Sequence, residues 1–128
     1  MVAVGYDHTC AIVAGKVMCW GMNRFGQLGD GTTDTRTHPA PVVGLPADVK
    51  ALALGDSHTC ALTVVGAVLC WGQAYRGQLG NDSEVTSPVP MEVAGMDAGV
   101  QTIAAIGDAT CAVTSAGGVK CWGAVDVG

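Results

Sequence analysis

Basic residues are scarce in this chain: six Lys and Arg stand against eleven Asp and Glu, for a formal net charge of -5. That deficit leaves no basic stripe for phosphates and argues against nucleic acid as a direct partner. Long apolar runs are missing too. Nothing approaches the roughly 20 residues that a membrane-spanning helix needs. The opening Met1-Val2-Ala3-Val4-Gly5 lacks the basic region and apolar core of a signal peptide. Metal-binding spacings are absent, with neither CxxC nor HxxxH. The nearest approach is His8-Thr9-Cys10 and its copy His58-Thr59-Cys60, so neither a metal nor a cofactor is expected. No serine, cysteine or carboxylate forms a recognisable triad with these histidines, and no enzymatic activity is expected. Helical patterning is hard to place anywhere.

What is abundant is repetition. The stretch from Cys10 to Gly29 returns at Cys60 to Gly80, and its first half returns at Cys111 to Gly123. Gly5, Gly55 and Gly107 open three units, and Trp20-Gly21, Trp71-Gly72 and Trp122-Gly123 lie within them. Gly26-Gln27-Leu28-Gly29 is matched by Gly77-Gln78-Leu79-Gly80. A period of about 50 residues falls in the range of propeller blades. The chain is therefore divided into repeats at 1–48, 49–98 and a partial 99–128.

Each unit opens with a β-hairpin. His8 to Val13 and Lys16 to Trp20 are β-branched or apolar runs parted by Ala14-Gly15. Val64-Val65-Gly66 and Ser115-Ala116-Gly117 part the later pairs, with glycine at the left-handed position of a tight loop. Folding each hairpin about its turn sets Cys10 opposite Cys19, Cys60 opposite Cys70 and Cys111 opposite Cys121. The same register sets His8 opposite Gly21 and His58 opposite Gly72. On the other side it places Thr9, Thr59 and Thr110 across from Trp20, Trp71 and Trp122. Opposed residues lie about 4.5 to 5.5 Å apart at Cα, within reach of a disulfide, so one staple per hairpin is expected. The histidines, opposite glycines, are expected to bond backbone within their own blade.

Both faces of each hairpin are apolar, as in a blade packed between two neighbours. Polar loops follow from Asp30 to Thr37 and from Asn81 to Ser87. Pro39 to Val43 and Pro88 to Val93 then read as outer edge strands, because proline cannot donate to an inner ladder. Val49 to Leu54 and Val100 to Ile106 lead into the next blades. The fold class is all-β: antiparallel β-propeller-type blades, about two and a half repeats, forming an incomplete propeller or an open or oligomeric stack. Lys120 stands where Met18 and Leu69 stand and marks that face of the last blade as wetter.

Gly55, His58, Ala61-Leu62, Gly66, Trp71-Gly72 and Gly77-Gln78-Leu79-Gly80 resemble the repeats of the regulator of chromosome condensation family. That resemblance implies a seven-bladed β-propeller parent and action by protein contact through propeller faces, as in an exchange factor for a small nuclear GTPase and a bacterial inhibitor of β-lactamase. The cysteine-bearing form, His-Thr-Cys-Ala followed by Cys-Trp-Gly, is similar to the bacterial secreted branch. Departures are local. Met22-Asn23 keeps the family's asparagine, whereas Gln73-Ala74 and Ala124-Val125 do not. Gly107 to Cys111 is one residue short and lacks the histidine. Gly128 falls where Gly26 stands in the first unit.

Two further motifs carry no chemistry. Gly26 to Gly31 follows a strand but opens no helix, so it is a tight turn rather than a phosphate loop. Asp30, Asp34, Asp82 and Glu84 lack the spacing of a calcium loop. Asn81-Asp82-Ser83 is formally a glycosylation acceptor. Six cysteines in so short a chain point to an oxidising compartment, extracellular or at the cell surface. That placement implies a leader already removed or a longer parent chain. The expected function is a non-enzymatic extracellular protein-interaction module. The alternatives are a structural subunit assembling head to tail into a filament or ring, and an enzyme-inhibitor-like propeller fragment. The expected partners are identical copies or the missing blades of a longer chain.

Overall fold

The computed structural model describes residues 1–124; Val125 and Gly128, singled out above, lie outside the described residues, as does the rest of 125–128. Eleven strands form three antiparallel sheets, and no helix occurs among the described residues. The first sheet runs β1 (Val2–Val4), β2 (His8–Val13), β3 (Lys16–Gly21), β4 (Arg36–Pro41). The second repeats that order with β5 (Val49–Leu54), β6 (His58–Thr63), β7 (Val68–Gly72) and β8 (Ser87–Glu92). The third contains β9 (Val100–Ile106), β10 (Ala109–Thr114) and β11 (Val119–Gly123). Each is a blade of the expected kind.

Hairpin register follows the turn residues. Gly15, Gly66 and Gly117 adopt φ of 80°, 83° and 89°, the left-handed region that lets these short loops close. In the two longer loops a threonine caps the turn from inside, Thr63 Oγ1 accepting from Ala67 N and Thr114 Oγ1 from Gly118 N. Counting outward, Cys10 pairs with Cys19, Cys60 with Cys70, and Cys111 with Cys121. All three pairs are disulfide-bonded, with Cα atoms 4.0 to 4.1 Å apart. That spacing is shorter than the sequence arithmetic suggests, because these are the close, non-hydrogen-bonded positions of the ladder.

The proline-bearing strands β4 and β8 are the outermost of their sheets, and each meets its neighbour through a register shift. They begin at Arg36 and Ser87, earlier than Pro39 and Pro88, because Gly21 and Gly72 still find partners there.

Alternation along the strands gives every blade a front and a back. The disulfide lies on the front. Cys10, Val17 and Cys19 pack against Val49, Leu52, Leu54, Ala61 and Trp71 of the second blade. Cys60, Leu62, Val68 and Cys70 pack against Val100, Ala112, Ile103 and Trp122 of the third. The core is thus two layers between three blades, and β6 and β7 of the middle blade are buried throughout. The front of the third blade is open: Cys121 and Val119 are exposed. Lys120 is exposed as well, and its Nζ extends toward Gly95 of the second blade.

Candidate interaction surface and blade junctions

The repeat signature builds the junctions between blades. Gln27 and Leu28 of the first turn are fully buried. Gly26 (φ 80°) and Gly29 (φ 69°) bend that turn so tightly that the backbone of Gln27 faces the second blade. The Gln27 carbonyl accepts from Trp71 Nε1 at 2.9 Å and from Thr59 Oγ1 at 2.7 Å. A Cβ on Gly29 would fall 2.6 Å from the Trp71 indole nitrogen, so the glycine is there to admit the ring. The next junction repeats the device: Trp122 Nε1 donates to the Gln78 carbonyl at 2.8 Å, and Gly80 sits against Trp122. Trp20, at the corresponding place in the first blade, meets no other blade among the described residues and is only half-buried.

The histidines correct one expectation. Instead of bonding backbone inside their own blade, they cross to the next. His8 Nε2 lies 2.8 Å from Thr59 Oγ1, and His58 Nε2 lies 2.7 Å from Thr110 Oγ1. Since Thr59 donates its proton to Gln27, its oxygen accepts from His8, which fixes the Nε2–H tautomer there. Gly5 makes the ring's placement possible: a Cβ on it would come within 2.7 Å of His8 Cε1. In the third blade Ala109 takes the histidine's place and pairs with Ile106, so an isoleucine stands where Gly5 and Gly55 admit a ring.

Both imidazoles are buried, and burial pulls each pKa from 6.5 down to about 4. Asp7, 3.8 Å from His8 Nδ1, opposes this only in part; Asp108 does the same for His58, while His8 adds to the depression. The rings are neutral hydrogen-bonding struts without access to a solvent-borne substrate.

The other distinct region is the loop end. Met22 N bonds Asp7 O and Gln73 N bonds Ser57 O, so the short turns before β2 and β6 share an end with the long loops after β3 and β7. The first long loop is knotted by polar side chains. Buried Asn23 donates from Nδ2 to the carbonyls of Thr32 and Asp34 and accepts from Leu28 N. Burial disfavours the charge on Asp30, yet hydrogen bonds from Thr32, Arg36 and Asn23 outweigh it and hold the carboxyl below its usual range. Ala74 replaces Asn23 in the second loop, and Gln78 Nε2 donates to Gln73 instead.

Outside this knot the loops present an arginine and aromatic cluster. The Arg24 guanidinium lies 5.0 Å from the Phe25 ring centroid, and Phe25 meets Tyr75 edge to face at 5.8 Å and 84°. Arg76 lies 3.6 Å from Asp108. Tyr75 is 61% exposed, and Tyr6, at the same end, 81%. The sequence reading missed this cluster. Its signal was available: Arg24-Phe25 and Tyr75-Arg76 occupy the same two places before consecutive Gly-Gln-Leu-Gly turns.

Comparison with known proteins agrees with this architecture. The regulator of chromosome condensation (RCC1) repeat model matches residues 14–62 and 65–113. The chain is 36% identical over 126 residues to the ultraviolet-B receptor UVR8 of Arabidopsis thaliana, covering 95% of this chain and 29% of that protein. It is 37% identical over 130 residues to the probable E3 ubiquitin-protein ligase HERC4 of Homo sapiens, covering 96% of this chain and 12% of HERC4. Among solved structures, human WBSCR16 superposes with a TM-score of 0.87 at 25% identity, over 96% of this chain and 32% of that one. Prp20p from Saccharomyces cerevisiae gives 0.81 at 22%, over 96% and 32%. The chain spans less than a third of the curated relatives' length. Matched in sequence over most of its length and in fold by propeller blades, the chain belongs to the regulator of chromosome condensation repeat family.

Proposed function

We propose that this chain is a non-enzymatic protein-interaction module of the β-propeller repeat type that works outside the cell. The observation that carries the reading is the loop end, where Arg24, Phe25, Tyr75 and Arg76 stand outward on turns that the blades hold rigidly. Arginine and tyrosine are the residue types that dominate binding hot spots, and here their supporting loops are fixed by buried Gln27 and Gln78. The histidines that could serve as general bases are buried at blade junctions instead. Relatives named as a receptor and as a ligase share these repeats, which fits a scaffold that carries contacts rather than one reaction. Three disulfides support the extracellular placement, because oxidising compartments are where such pairs persist.

Panning a displayed peptide library on the folded chain tests the reading. Selected peptides are expected to lose at least tenfold in affinity for Arg24→Gln and Tyr75→Ala variants that keep the wild-type circular dichroism. Peptides bound equally by wild type and variants would place the interaction elsewhere. Regular filaments of the wild-type chain in electron micrographs would favour the self-assembling subunit instead.

A further inference from the structure

The first two Gly-Gln-Leu-Gly turns are built on the same frame. Each glutamine is fully buried and accepts from a backbone amide two residues before it: Gln27 Oε1 from Phe25 N at 3.0 Å, and Gln78 Oε1 from Arg76 N at 2.8 Å. Those bonds fix which end of each side-chain amide is the nitrogen. The residue at the start of each long loop is anchored alike, Met22 N to Asp7 O at 3.0 Å and Gln73 N to Ser57 O at 2.9 Å. What differs at this position is the side chain. Gln73 Oε1 accepts from Gln78 Nε2 at 3.0 Å, whereas Gln27 Nε2, buried in the same way, has no acceptor among the described residues.

A buried amide N–H without a partner is penalised, and an oxygen on Met22 would supply the partner. Methionine and glutamine side chains have the same length. In methionine sulfoxide the oxygen sits on Sδ, as Oε1 sits on Cδ of glutamine. Met22 is 41% exposed, and its Sδ lies 3.9 Å from the exposed Thr35 Oγ1, within reach of a dissolved oxidant. All six cysteines are paired, which leaves thioethers as the sulfurs that a peroxide oxidises first. Met1 and Met91 share the exposure, but neither stands where Gln73 does.

We propose that Met22 is a peroxide-reactive modification site whose sulfoxide oxygen accepts from Gln27 Nε2, so that oxidation tightens the first turn as Gln73 tightens the second. The step is an oxygen-atom transfer from hydrogen peroxide. The Met22 sulfur attacks one peroxide oxygen, the O–O bond breaks as the S–O bond forms, sulfur gives up two electrons, and the other oxygen leaves as water. Methionine oxidation ordinarily disrupts packing by placing a polar group among apolar ones; at Met22 the waiting donor reverses the sign. The new bond closes the segment that carries Arg24 and Phe25. It depends on the turn alone, whatever partner the loop end contacts.

Hydrogen peroxide on the folded chain is the probe. Peptide mapping is expected to find Met22 oxidised. In a Met1→Leu, Met91→Leu background, that oxidation is expected to lower the unfolding equilibrium constant about fivefold. Met22→Gln is expected to give the same gain without peroxide, and Met22→Leu to abolish the response. In a nitrogen-15-labelled chain, the Gln27 side-chain amide protons are expected to move downfield and exchange more slowly in both the oxidised chain and Met22→Gln. The proposal is overturned if Met22 resists peroxide while Met91 is oxidised in the wild type, if the gain persists in Met22→Leu, or if the Met22 sulfoxide leaves stability and the Gln27 amide signals unchanged or lowers stability. Should Met22→Gln fail to fold, the oxidised chain decides by the same outcomes.

Discussion

At the scale of single residues, the buried histidines make stability depend on pH. Their folded pKa is about 4 against 6.5 in the unfolded chain, so the unfolded state takes up more protons between those values. Stability is therefore full above about 6.5 and falls as pH drops toward 4. The loss is on the order of 3 kcal/mol per histidine if the whole shift is realised. Urea titrations from pH 7.5 to 4 are expected to show this decline, and a His8→Gln variant should flatten part of it; a midpoint that stays constant would refute the linkage. Gly5 offers a sharper comparison. Its φ is not in the left-handed region, so Gly5→Ala is expected to destabilise by crowding the Gly55 carbonyl oxygen at 2.6 Å and the His8 ring at 2.7 Å, and His8→Ala in the same chain should relieve only the part that the ring contributes. The histidines also mark the limit of legibility at this scale. Hairpin arithmetic names the residue across the ladder, Gly21 for His8, but not the residue across the gap to the next blade, Thr59.

Elements were the most legible level, because turn glycines and alternation act locally. The Gly15, Gly66 and Gly117 positions set the hairpin register, and with it the three cysteine pairs and the threonine–tryptophan pairs. Less legible were the starts of β4 and β8, where register shifts absorb the polar loops. The three stapled hairpins have the same covalent design and different surroundings. Cys10–Cys19 and Cys60–Cys70 are fully buried, whereas Cys121 is exposed. A mild reductant under native conditions, followed by alkylation and mass spectrometry, is expected to label Cys111 and Cys121 first. Labelling of the other four should wait for global unfolding. Simultaneous labelling of all six would mean that the junctions open far more readily than their packing implies. Each staple closes a loop of about ten residues and contributes roughly 2 to 3 kcal/mol in the chain-entropy account.

Across the whole molecule, the three tryptophans form a graded series. Trp71 is completely buried between blades, Trp122 is partly buried, and Trp20 lies on the open back face. Replacing each with alanine is expected to cost about 3 to 5 kcal/mol at Trp71, less at Trp122, and least at Trp20. Equal costs at all three would mean that the open face is covered in solution, and chemical denaturation of the three variants at several protein concentrations reads this directly. The loop-end cluster shows in the sequence only as two like-placed pairs, Arg24-Phe25 and Tyr75-Arg76, and not as a contact, for a reason of scale. Arg24 and Tyr75 are about 50 residues apart, and only the side-by-side placement of two blades joins them.

Every sulfur bridge closes within one blade, spanning 9, 10 and 10 positions, and none ties a blade to its neighbour. Pulled by its ends, such a chain should part leaf by leaf, as hydrogen bonds and apolar layers give way one junction at a time. The segments locked between each cysteine pair would stay looped and add nothing to the extended length. A force-extension trace would then lengthen at each step by less than the residue count of that blade, and adding reductant would restore the missing length.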